Sequence, residues 1–218
     1  MPLILQIETS STNTSVALAK NGELIAYKEQ DSSGYSHEKL LHPFIQEVLE
    51  QADVKKTDLN AVSVGTGPGS FTGLRIGVAA AKGLSYALDI PLLAVPTMEL
   101  LARQVKQGCD LIVSVIDARR MEVYSSIYNT NFEALGETES KLIDEDSYTE
   151  LADKKIVFVG SGATKIEAQL DLPYATYIPE TLPSALEMSA SALLKFQSKD
   201  WEDTAYFAPF YLKDFKPH

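Results

Sequence analysis

With 218 residues, the chain is long enough for one large domain or two small ones, each with its own core. Hydrophobic residues make up 45% and charged residues 22%, the balance of a globular protein rather than a disordered one. The net charge of -11 repels phosphate and argues against strong nucleic-acid binding by this chain alone. No run of about 18 apolar residues offers a membrane span. Met1 to Glu8 lack a basic segment and read as a strand rather than a signal peptide. Cys109 is the only cysteine, which excludes an internal disulfide and suits a reducing, cytoplasmic setting.

Taken in order, Leu3 to Ile7 reads as a buried strand. Thr14 to Ala19 and Glu23 to Lys28 follow, joined at Asn21-Gly22, a strong tight-turn signal, so the chain opens with a three-stranded antiparallel meander. Ser36 heads a helix with Leu40, Leu41, Phe44, Ile45, Val48 and Leu49 on one apolar face. An apolar strand at Ala61 to Val64 runs into the glycine-rich stretch Gly65 to Gly77, and Val78 to Leu88 reads as a helix rich in small residues. A strand at Pro91 to Val95 and a helix from Thr97 to about Lys106 close the first half.

The second half opens with the apolar strand Leu111 to Ile116, a turn at Asp117 to Arg120 and a strand from Glu122 to Tyr128. Asn129 to Glu145 is polar and reads as loop. Ile156 to Val159 is a strand ending in Gly160-Ser161-Gly162-Ala163, followed by a helix. Ser184 and Glu187 form a capping-box pattern ahead of a helix to about Phe196. The aromatic tail, Tyr206 to Leu212, is expected to pack back onto the body. Each half opens with an apolar strand ending in a carboxylate, Glu8 or Asp117, and then alternates helix and strand. The reading is α/β with two subdomains, 1–107 and 108–218, the last ten or so residues returning to the first. Such halves facing each other would make a cleft with Glu8 and Asp117 near its mouth.

Glycines between a strand and a helix mark a loop built for close approach, by a ligand or by a second protein. A P-loop needs a lysine directly after its second glycine, and Leu74 follows Gly73; a dinucleotide loop needs a third glycine where Thr72 stands. Both motifs fail. Gly73, Gly77 and Ala81 recur every four residues, with Ala79, Ala80 and Gly83 nearby. Packing on the chain's own core is the default reading of such a helix, and a subunit interface is the other. Ser70 and Ser161 lack the pattern of a nucleophile elbow, and Cys109 at a strand border reads as a small core residue. His37 and His42, five apart, point to different faces of a helix, so they make no metal pair; His218 is the third histidine. Glu8, followed by Thr9-Ser10-Ser11, would suit a nucleotide phosphate through Mg²⁺ and hydroxyls, or the hydroxyls bond their own backbone. Arg119 and Arg120 would meet phosphate or a partner's acidic group, or stay solvated.

Ile4-Leu5-Gln6-Ile7-Glu8-Thr9-Ser10, Val64 to Gly77, Ala81-Lys82-Gly83-Leu84 and Asp117 to Tyr124 together resemble the TsaB (YeaZ) family. The resemblance is specific from residue 3 to about residue 124 and looser afterward, where Gly160 to Ala163 and Tyr211-Leu212 still fit. It implies an actin-like, ribonuclease H-like fold and a cytoplasmic accessory subunit for making N6-threonylcarbamoyladenosine at position 37 of tRNA. The implied partners are the catalytic subunit TsaD, in a heterodimer, and the ATPase TsaE, in a ternary complex. A homodimer is implied for the chain alone, with tRNA contact only through the complex. The implied subunit is non-catalytic and has no cofactor of its own, ATP and Mg²⁺ belonging to the assembled complex. The alternative is a stand-alone weak ATPase or M22-type peptidase-like enzyme using the cleft between subdomains.

The chain departs from the active pattern. Glu8-Thr9-Ser10-Ser11 stands where actin-like enzymes read Asp-x-Gly-Thr, and aspartate is more usual than Glu8 even in this family. TsaD's paired metal histidines are absent. From the small and apolar pattern together with the resemblance, the partner face is expected at His37, Leu41, Gly73, Arg75, Gly77, Ala80, Ala81 and Leu84. Glu8, Thr9, Ser10, Arg119 and Arg120 are the candidates for a place near nucleotide.

Overall fold

The computed structural model describes residues 1–32, 36–106 and 108–213. It separates into two compact units, Met1–Thr97 with Pro183–His218, and Met98–Leu182. The division therefore comes at Thr97, ahead of the expected residue 107, which lies outside the described residues, as do Asp214 to His218. The chain from Pro183 on belongs with the first unit, not with an expected subdomain of 108–218. Long-range packing is the reason: Ala192 joins Ile4, Ala61 and Leu93 in one buried cluster, with Phe196 against it.

In the first unit, β1 (Leu3–Glu8) is buried along its whole length. It pairs antiparallel with β2 (Asn13–Lys20), which pairs antiparallel with β3 (Glu23–Asp31). Asn21 and Gly22 make the connecting turn at φ 54° and 83°, angles that asparagine and glycine tolerate best. After α1 (His37–Gln51), β4 (Ala61–Gly65) pairs parallel with β1. α2 (Phe71–Leu88) then leads to β5 (Leu92–Val95), parallel to β4. The sheet order is β3-β2-β1-β4-β5. Alternation along β1 assigns its two sides. Leu3, Leu5 and Ile7 join Leu41, Phe44, Val48 and Val78 from the helices in one core, while Ile4 turns to the opposite cluster. Each such side chain contributes at most about 1.5–3 kcal/mol on burial.

α2 starts at Phe71 rather than at Val78, so Gly73 and Gly77 are helical and not part of the loop. Ser70 is its N-cap, the Oγ accepting from the Gly73 amide at 3.3 Å.

In the second unit, α3 (Thr97–Ala102), whose first residue belongs to the first unit, stops short of the expected Lys106. Then come β6 (Leu111–Asp117), β7 (Glu122–Tyr128), β8 (Glu139–Leu142), β9 (Ile156–Val159), α4 (Ala163–Gln169) and β10 (Ala175–Ile178). β6 pairs antiparallel with β7 and parallel with β9, giving the order β10-β9-β6-β7-β8. Read from the other edge, this is the arrangement of the first sheet, with the opening strand central. β8 lies inside the stretch expected to be loop, and β10 was not anticipated. α5 (Ser189–Ser198) returns to the first unit. The expected capping box at Ser184 caps a 3₁₀ turn, Ala185–Met188, its Oγ accepting from Leu186 N at 3.3 Å. Two mixed five-stranded sheets of one topology, flanked by helices, make this the actin-like, ribonuclease H-like fold that the resemblance implies.

Candidate functional site

The turn after β1 brings Glu8, Thr9 and Ser10 together, all buried. Glu8 is fully enclosed. Its Oε1 accepts from the Ser10 amide at 2.6 Å, and its Oε2 accepts from the Thr97 hydroxyl at 3.2 Å. That hydroxyl in turn accepts from Gly67 N at 3.0 Å. Burial pushes the carboxyl above the usual carboxylate range, against the hydrogen bonds from Ser10 and Thr97 that favour its charge. A side chain so enclosed ties β1 to the loops after β4 and β5; it is not presented to a metal or to water.

The start of α2 fills the ground where a phosphate would have to approach. Ser10 O accepts from Ser70 N at 2.7 Å, and the Thr9 hydroxyl donates to Gly73 O at 2.8 Å. A Cβ on Gly69 would stand 2.3 Å from Ser10 O, one on Gly73 2.1 Å from Thr9 O, and one on Gly77 2.3 Å from Thr9 Oγ1. These glycines let α2 lie directly on the turn after β1.

That geometry corrects part of the expected partner face. Gly73, Gly77 and Ala81 are buried against the chain's own β1 and core. His37 and Leu41 are buried as well. The His37 Nδ1 lies 2.8 Å from Thr14 Oγ1, and burial lowers its pKa. The physical reason is offset: positions four apart on one stripe face one way, and this stripe faces inward. Ala80 and Leu84 are half-buried along the core's edge, and only Arg75 of the eight is exposed.

The outward face of α2 carries Arg75, Ala79, Gly83 and Tyr86, the last 85% exposed. A Cβ on Gly83 would meet nothing within 4 Å. The Arg75 guanidinium lies 3.8 Å from the Phe71 ring centre, and its Nε donates to the Tyr211 hydroxyl at 3.2 Å. Sequence reasoning noted Ala79 and Gly83 but did not separate them from the inward stripe. Their spacing of four with Arg75, offset by two residues from Gly73, Gly77 and Ala81 and so on the opposite side of the helix, is the signal that does so.

In the second unit, the turn between β6 and β7 holds Arg119 and Arg120, both exposed and both at positive φ, 68° and 50°. Asp117 Oδ1 organises this turn, accepting from Arg119 N at 2.6 Å and from Lys165 Nζ at 2.7 Å. Ser161 Oγ accepts from Asp117 N at 3.1 Å, a supporting contact. Cys109 is half-buried beside the cluster of Met98, Leu101 and Ile112, and burial, then the Asp110 charge, raises its thiol pKa. His42 is exposed while His37 is buried, so the structure does not bring the two together; His218 lies outside the described residues. Among the described residues, no group of three or more His, Cys, Asp or Glu could hold a metal ion. No described helix is long and apolar enough to cross a membrane.

A family model described as TsaD, tRNA N6-adenosine threonylcarbamoyltransferase, matches residues 31–216. The tRNA threonylcarbamoyladenosine biosynthesis protein TsaB of Escherichia coli (strain K12) is 37% identical over 127 residues, 57% of this chain and 54% of that protein. The match thus spans about half the length of that relative. The protein of the same name from Buchnera aphidicola subsp. Acyrthosiphon pisum is 32% identical over 208 residues, 91% of each chain. Among solved structures, YeaZ from Pseudomonas aeruginosa superposes with a TM-score of 0.87 at 27% identity, over 97% of this chain and 100% of that one.

Proposed function

Since the chain belongs to the TsaB (YeaZ) family, we propose that it is a non-catalytic subunit for making N6-threonylcarbamoyladenosine in tRNA, acting by docking TsaD. The observation that carries this reading is the closed turn at Glu8. An actin-like enzyme needs its first strand to end in an open loop that phosphate can enter. Here α2 lies on that turn, and the carboxyl is spent on Ser10 and Thr97. What α2 leaves exposed is a face of small and amphipathic residues, Arg75, Ala79, Gly83 and Tyr86, which a second helix can approach closely. Ala80 and Leu84 border it.

In this reading TsaD supplies the transfer chemistry, TsaE joins the pair, and nucleotide and Mg²⁺ belong to the assembly. Arg119 and Arg120 contribute to nucleotide or tRNA phosphate only there, since the chain's net charge of -11 disfavours binding phosphate alone. The cytoplasm is the proposed location, and a homodimer through the α2 face is the proposed state without TsaD. The test is reconstitution of tRNA modification from purified components with and without this chain. Modification that requires the chain, with no ATP turnover by the chain alone, is expected. Mg-ATP hydrolysis by the purified chain in the absence of TsaD would overturn the reading.

A further inference from the structure

We propose that Glu202 to Leu212 form a strap that fixes the outward face of α2, with Lys82 as its clasp; this rests on the docking role just given to that face. The strap begins on a sheet edge. Glu202 N donates to Leu92 O at 2.9 Å, an antiparallel bridge on β5, whose outer side no other strand of its sheet covers. It then makes one helical turn. Asp203 Oδ1 accepts from the amides of Ala205 and Tyr206 at 2.8 and 3.2 Å, and Phe207 N donates to Asp203 O at 2.8 Å.

Lys82 closes the other end of that turn. Its Nζ donates to Ala205 O at 3.1 Å and to Phe207 O at 2.8 Å, a cation on two carbonyls that would otherwise face water. Phe207 packs against the core of the first unit. Beyond it, Phe210 N donates to Thr66 O at 2.9 Å, and Tyr211 meets Phe71 with ring centres 5.3 Å apart. Tyr211 also takes the Arg75 hydrogen bond. α2 is therefore held at Phe71 and Arg75, at Lys82, and near its end, where Ser85 Oγ lies 3.4 Å from Thr204 Oγ1. This gives Lys82, in the stretch Ala81-Lys82-Gly83-Leu84, a role that the closed turn at Glu8 does not.

The experiment uses the full chain with Lys82→Met, which keeps the apolar stem and removes the donors, alongside Lys82→Arg and Tyr211→Phe. Amide exchange of residues 72–88 and 203–211 reports the strap, and calorimetric titration with purified TsaD reports docking. Lys82→Met is expected to speed exchange in the strap and weaken TsaD binding, each by about tenfold, with Lys82→Arg recovering most of the loss. Tyr211→Phe is expected to weaken binding by about threefold, and it decides the matter if Lys82→Met does not fold. Faster exchange with unchanged TsaD affinity overturns the strap's role and leaves the docking reading standing. If Gly83→Trp, on the open face, also leaves affinity unchanged, the docking reading itself is what fails.

Discussion

The carboxyl of Glu8 occupies the space where a side chain on Gly65 would begin. A Cβ at Gly65 would stand 1.9 Å from Oε2 and 2.7 Å from Cδ of Glu8. The two residues end neighbouring parallel strands, so a larger residue at one is possible only with a smaller one at the other. Gly65→Ala is expected to cost about 1–3 kcal/mol through overpacking. Glu8→Ala carries its own cost, because the Ser10 amide loses its acceptor. In the double variant most of the Gly65→Ala cost should disappear, a coupling of about 1–3 kcal/mol measurable by urea unfolding of the four proteins. Strict additivity would show that the two do not share the space.

The same carboxyl makes stability depend on pH. Its folded-state pKa is raised above the ordinary 4.5 by burial, so the folded chain binds the proton more tightly than the unfolded chain. The contribution is complete below the ordinary value and is lost as pH rises through the raised one. Glu8→Gln does not titrate. The stability of Glu8→Gln relative to the parent should therefore rise as pH climbs from the ordinary 4.5 through the raised value. A difference that shrinks over that window would mean that the carboxylate, not the acid, is favoured in the fold.

α2 supplies a contrast between two glycines of one helix, its seventh and thirteenth residues. Gly77→Ala pushes a methyl to 2.3 Å from Thr9 Oγ1, whose hydroxyl is committed to Gly73 O, and should destabilise the isolated chain by about 1–3 kcal/mol. Gly83→Ala meets nothing within 4 Å and should stabilise it by about 0.5–1 kcal/mol through helix propensity. Thermal unfolding of the two variants checks the pair. Gly83→Trp, by contrast, should leave the melting point near the parent's and remove TsaD binding, because the added bulk sits on the outward side.

Which parts of this could be read from sequence follows from the range of the forces involved. The opening meander and α1 were legible because period-two and period-3.6 patterns are local, as with Leu41, Phe44, Ile45, Val48 and Leu49. β8 and β10 escaped because four residues each, with Glu139, Ser140 and Lys141 exposed or half-exposed, carry too little pattern. The first seven residues of α2 read as loop since glycine lowers helix propensity. Their helicity comes from contact with Thr9, more than sixty residues away. The return of Ala192 to Ile4 and of Phe210 to Thr66 is likewise nonlocal, so no local pattern announces it. In the candidate site, the glycines and Glu8 were identified from sequence, but the direction each faces was not. Direction depends on helix phase relative to a strand that only the fold places.

The turn at Arg119 and Arg120 yields the last prediction. Two consecutive residues other than glycine at positive φ carry a cost of roughly 1–2 kcal/mol each, since Cβ crowds the following carbonyl. A turn selected for stability alone would place asparagine and glycine there, as the chain does at Asn21-Gly22. Arg120→Gly should therefore raise stability by about 0.5–1 kcal/mol, the relief exceeding the entropy that glycine adds to the unfolded chain. If the arginines act on phosphate in the assembled complex, the same variant should slow reconstituted tRNA modification while TsaD binding stays at the parent's value. Arg120→Lys retains both charge and strain and should keep the parent's stability and most of its modification rate. A more stable Arg120→Gly with an undiminished modification rate would remove this turn from the nucleotide-proximal set and leave docking as the whole of the chain's contribution.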